Sequence, residues 1–213
     1  MNCRFLSAIA VVSFAVLSVV PASAAVLILT DPVVTPNGPS DFTWTWDVYL
    51  GPNSRVNTPG GPCNSAVPGG TCDGLLTIYD FTGYIPGSVA TTMPNWSTGP
   101  IQLLGITPVG LTPDDDPAEL NLSWRYTGST TVAAPLTSAL LLGTVSARST
   151  SGLWKLDDYA GRTAFGTQNQ RSANLDITKS PASVPEPGTF GLVGAAALGL
   201  LGLRRRFVRD SSR

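Results

Sequence analysis

From Phe42 to Leu50 the chain alternates with a period of two. Phe42, Trp44, Trp46, Val48 and Leu50 fall on one face, and Thr43, Thr45, Asp47 and Tyr49 on the other. An extended strand sends successive side chains to opposite faces, so this run buries a continuous apolar face only as a strand. A helix would scatter the same tryptophans and threonines around its circumference. Leu120, Leu122, Trp124 and Tyr126 alternate likewise with Glu119, Asn121, Ser123, Arg125 and Thr127, and Leu175 and Ile177 with Asn174, Asp176 and Thr178. Half-buried antiparallel strands read this way. Residues 26–30, 75–81, 101–106, 138–147 and 153–156 are further strand candidates with less regular patterns. Turn-forming clusters such as Thr35-Pro36-Asn37-Gly38-Pro39 separate them. The expectation is an all-β fold, an antiparallel β-sandwich with jelly-roll connectivity as a variant.

Composition narrows the function. Only 13% of residues are charged, the net charge is −1, and 22 Gly and 18 Pro break up any long helix. A near-neutral chain lacks the field that draws nucleic acid, so no nucleic-acid partner is expected. There is no histidine, which removes Ser/His/Asp and Cys/His catalysis and His-ligated zinc. No cofactor is expected, and the reading is of a non-enzymatic protein.

The two ends read as addresses. Arg4, the apolar run of residues 5–20 and the small triplet Ala22-Ser23-Ala24 form a secretory signal over residues 1–24, cut between Ala24 and Ala25. Signal peptidase and the Sec machinery are therefore expected partners, and Cys3 leaves with the signal. At the other end, Val184-Pro185-Glu186-Pro187 precedes an uncharged stretch, residues 190–203, and then Arg204, Arg205 and Arg206. As a helix those fourteen residues span ~21 Å, against a hydrocarbon core of ~30 Å. Seven of them are Gly or Ala, and the remaining Leu, Val and Phe supply only ~2–4 kcal/mol of insertion energy. A single transmembrane helix over about residues 188–203 is expected, a weak anchor with the arginines on the cytoplasmic side and the preceding domain outside.

The order Val-Pro-Glu-Pro, short Gly/Ala/Leu helix, Arg cluster resembles the PEP-CTERM sorting signal of Gram-negative bacteria, over Val184 to about Phe207. The resemblance implies recognition of Pro185, Glu186 and Pro187 by an exosortase, a membrane-embedded cysteine protease-transpeptidase. It further implies transient anchoring in the inner membrane, then delivery to the cell surface or extracellular matrix, often alongside exopolysaccharide. The physics is compatible: two prolines keep the segment extended and block helix propagation upstream, and Glu186 is the one charge there for an enzyme to pair with. The chain thus divides into a signal peptide (1–24), an exported sandwich (25–180) and a sorting segment (181–213).

Within the exported part, seven Lys/Arg stand against twelve Asp/Glu over residues 25–183. Cys63 and Cys72 lie in one Gly/Pro/Asn-rich loop, and in an oxidising compartment they should pair; closing so short a loop is worth about 2.5 kcal/mol. Asp114, Asp115 and Asp116 are the densest acidic run and a weak Ca²⁺ candidate, with a solvated turn as the favoured reading. Asp157-Asp158 would serve glycoside hydrolysis only if a second carboxyl faced one of them across a cleft. Trp44, Trp46 and Trp124 sit in the apolar register and belong to the core. Trp96, in a loop, is the candidate for an exposed ligand contact. The function expected is a structural or adhesive role in the matrix. The alternatives are a carbohydrate- or ice-binding module, which needs an aromatic row or a flat threonine-lined face beyond Thr43 and Thr45, and a jelly-roll hydrolase.

Overall fold

The computed structural model describes residues 26–56, 74–166 and 170–183. Among them there is no helix, and every paired strand is antiparallel. Two sheets pack face to face. The first centres on β3 (Asp41–Leu50) paired with β10 (Leu140–Ser149). On the other edge of β3 lie β1 (Leu27–Leu29) and β2 (Val33–Gly38), and β6 (Ala90–Thr91) flanks β10. The second sheet centres on β11 (Trp154–Phe165). One edge of β11 carries β12 (Gln170–Pro181) along its whole length. The other edge carries β5 (Leu75–Ile78) and β4 (Ser54–Val56), with β8 (Leu122–Tyr126), β7 (Trp96–Thr98) and β9 (Val132–Ala133) beyond them.

The alternation of residues 42–50 becomes the buried face of β3: Trp44, Trp46, Val48 and Leu50 have no solvent-exposed surface. Leu76, Ile78, Leu122, Trp124 and Tyr126 answer from the second sheet. Burying one indole removes ~200 Å² from water, worth ~5 kcal/mol, provided its N–H keeps a partner. All three core tryptophans do. Trp44 Nε1 donates to the Ser151 carbonyl (3.0 Å), Trp46 Nε1 to Thr178 Oγ1 (3.0 Å) and Trp124 Nε1 to the Ala90 carbonyl (3.2 Å).

One corner is closed by a side chain. The Asn174 amide donates to the Leu27 carbonyl (2.9 Å) and accepts from the Leu27 N–H (3.1 Å), doing for β1 what a neighbouring strand would do. Gly161 makes this approach feasible: a Cβ there would stand 2.6 Å from Asn174 Oδ1 and 2.9 Å from Leu27 Cβ.

The structure departs from the sequence expectation at several strands. The Thr35–Pro39 cluster, expected as a separator, lies mostly within β2, whose register is broken by a bulge between Pro36 and Gly38. A proline is tolerated there because β2 pairs β3 alone. Residues 101–106 form no strand, only a bridge from Gln102 to Asn121. The face of β12 is also reversed. Thr178 and Ser180 are buried, while Ile177 is 59% exposed. The signal peptide, the Cys63 and Cys72 loop and the tail with its expected span lie outside the described residues. Among those described, no helix is long and apolar enough to cross a membrane.

Candidate functional site

Asp114, Asp115 and Asp116 end a strap, residues 99–118, part of which crosses the outer face of the second sheet. Thr77 Oγ1 donates to the Ile106 carbonyl (2.9 Å), and Tyr79 Oη lies 2.8 Å from Thr107 Oγ1. The acidic run ties the strap down through its backbone. The Asp114 N–H donates to Asp158 Oδ2 (2.7 Å) and the Asp116 N–H to Asp80 Oδ1 (2.9 Å). Asp115 accepts from Asn121 Nδ2 (2.8 Å) and the Gly105 N–H (3.1 Å), and Asp116 Oδ1 from the Ala118 N–H (2.9 Å). The Asp115 and Asp116 carboxylates thus accept N–H donors from their own loop and from Asn121. Among the described residues no group of three or more metal-ligating side chains is placed to hold an ion. The acidic run is thus a loop docked on the second sheet.

Beneath the strap sits a buried pair of carboxyls. Asp80, only 5% exposed and with φ of 50°, is pushed up to about 6 by burial and then by the charge of Asp157. Burial also raises Asp157, against the Lys155 ammonium (2.8 Å), the Asp158 N–H (2.9 Å) and Ser180 Oγ (3.3 Å). Asp158 lies on the opposite face of β11, as neighbours in a strand must. The two adjacent carboxyls therefore do not share one site.

Trp96 is corrected by the structure: it is 8% exposed, not a free loop aromatic. Asn95, with φ of 61°, turns the chain so that the indole packs on Tyr126, ring centroids 5.9 Å apart. Trp96 does line a small pocket of about 160 Å³ with Asn95, Val132 and Leu140–142, below the ~300 Å³ at which ligand pockets usually begin.

Two surfaces remain. The outer face of the first sheet gathers hydroxyls. Thr43 stands opposite Thr35, Thr45 opposite Ser146 and Asp47 opposite Thr144, with Thr92 Oγ1 3.0 Å from Thr144 Oγ1. Sequence alone paired Thr43 with Thr45; the strands on either side supply the rest.

The second surface is inverted. At the start of β11 the charged Lys155 and Asp157 turn toward the sandwich interior, while Trp154 (58% exposed) and Leu156 (64%) face outward. Register puts Trp154 opposite Pro181, Leu156 opposite Lys179, and Ile177 diagonal to Leu156 on the same face. Lys179 Nζ lies 5.2 Å from the Trp154 ring centre and 2.6 Å from Asp31 Oδ2. The sequence signal for this patch is the Trp154–Leu156 spacing, obscured by Asp157-Asp158 directly behind it.

Pro181 closes β12, and the Ala182 N–H still bonds the Leu153 carbonyl (2.9 Å). No curated protein and no solved structure matches the chain. A family model does, immediately past that last strand: residues 183–206 match the PEP-CTERM protein-sorting motif, and the chain carries that sorting signal directly behind its β-sandwich.

Proposed function

We propose that this protein is exported by its signal peptide, held briefly by a membrane span over about residues 188–203, and released by an exosortase. Its destination is the cell surface or extracellular matrix, where it plays a structural or adhesive, non-enzymatic part alongside exopolysaccharide. The sorting motif itself implies an exosortase-sorted, exported protein that passes through a membrane-associated stage. The observation that carries the reading is the junction: the motif starts two residues after β12 ends. The sandwich thus ends four residues before Pro185-Glu186-Pro187, next to the element an exosortase would recognise.

A second reading, of a module that binds carbohydrate or ice, is favoured by the hydroxyl-bearing outer face of the first sheet. Thr35, Thr43, Thr45, Thr144 and Ser146 there offer repeated donors and acceptors at strand spacing.

The test compares intact masses of the protein from culture medium and from membranes, for wild type and Glu186→Ala. Wild-type secreted material is expected to lack its tail, and the variant to stay intact in membranes. Secreted wild-type protein that retains residues 188–213 overturns the sorting reading. Binding of the sandwich to a glycan array, abolished by Thr43→Val and Thr45→Val together, would select the second.

A further inference from the structure

At the inside-out end of the β11–β12 hairpin Lys179 bonds Asp31, but Trp154, Leu156 and Ile177 stay more than half exposed. They share one face of the β11–β12 pair, bordered by Asp158 opposite Ile177, and exposed apolar side chains gathered on one face mark interaction sites. The inward turn of Lys155 and Asp157 is what leaves apolar side chains outside. The position of this patch in the chain says what covers it. Trp154 is the register partner of Pro181, and the uncharged stretch starts at Phe190. The eight residues between, 182–189, span at most ~30 Å even fully extended. Any bilayer that holds residues 190–203 is therefore within reach of the patch. Its make-up suits that surface: an indole with a lysine over its ring, flanked by aliphatic side chains, is the amphipathic combination that settles at a lipid headgroup boundary. Tethering raises the local concentration of the patch at the membrane, so even a feeble affinity is realised.

We propose that the Trp154–Leu156–Ile177 face rests on the outer surface of the membrane while the tail is inserted, giving the domain a second foothold that is released when the tail is cut. The proposal rests on the tail being in the bilayer, as read above. Two weak attachments then act as one: neither the short span nor the patch holds alone, and severing either frees the protein.

The test uses the mature chain with its tail, reconstituted into phosphatidylethanolamine vesicles containing a minor fraction of phosphatidylglycerol and brominated lipid. Trp44, Trp46 and Trp124 are fully buried and Trp96 is 8% exposed, so quenching by bromine should come from Trp154. The expected result is quenching in wild type that disappears in Trp154→Phe, and a roughly tenfold faster loss from vesicles for Leu156→Glu with Ile177→Glu. Both substituted positions in that pair are exposed, and an unchanged circular dichroism spectrum confirms the fold. Co-flotation with equal quenching in wild type and Trp154→Phe overturns the proposal and leaves the sorting reading intact. Failure of the wild-type chain to float overturns both. Concentration-dependent cross-links between copies through residue 156, with Trp154 unquenched, would assign the face to a second copy and also overturn it.

Discussion

Replacing Asp80 by Asn tests whether the carboxyl pair under the strap costs stability. The group sits 5% exposed beside Asp157, and burial first, then that neighbouring charge, lifts its pKa from 3.8 to about 6. An acid with a raised folded pKa binds more protons folded than unfolded between those two values. Its contribution is fully favourable below about pH 3.8 and is lost as pH rises through 6. Two units at 1.36 kcal/mol each set a ceiling of ~3 kcal/mol at pH 8, and solvent at the sandwich edge trims it to about 1–3 kcal/mol. Asn keeps the acceptor for the Asp116 N–H without the charge. It also tolerates the left-handed backbone at φ 50°, but that benefit does not depend on pH. The decisive quantity is therefore the difference in stabilisation between pH 8 and pH 4, from urea unfolding followed by tryptophan fluorescence. The variant should gain 1–3 kcal/mol more at pH 8 than at pH 4, about 3–10 °C in Tm. Equal gains at both pH values, or a variant less stable than wild type at pH 8, would refute the electrostatic argument.

Burial raises Tyr79 and Tyr159 to about 12, so absorbance titration at 295 nm should show at least two of the five tyrosines still protonated at pH 11, with their ionisation coinciding with unfolding. Asn174→Ala strips β1 of both bonds to Leu27 and should cost about 2–4 kcal/mol, with hydrogen exchange at Leu27 accelerating before β3 opens. Trp46→Ala removes a fully buried ring stacked 6.2 Å from Trp44 and should cost at least 3–5 kcal/mol, read by denaturant midpoint.

The core was legible where sequence periodicity and burial coincide. Trp44, Trp46, Trp124 and Tyr126 lie inside, as their alternation requires. The sorting motif was legible because its order of prolines, apolar stretch and arginines is linear in the chain. Trp96 was misread because its loop composition says nothing of Tyr126, thirty residues on, against which it packs. β12 was misread for a related reason. Its inward positions are Asn174, Thr178 and Ser180, whose polar groups are satisfied by Leu27, Trp46 and Asp157. Hydrophobicity alone assigns such residues to the surface. The carboxyl pair was invisible because Asp80 and Asp157 are distant in sequence and meet only through the pairing of β5, β11 and the strap.

The side-chain clasp between Leu27 and Asn174 joins residues 147 positions apart. During export, the earliest strand to emerge must wait for nearly the whole domain before its corner can shut. In chain order that corner is completed only nine residues before the sorting motif begins at residue 183. A chain with a damaged final hairpin would reach the processing enzyme still ajar. In this arrangement the residue that latches the sandwich and the start of the sorting signal are near neighbours on one polypeptide.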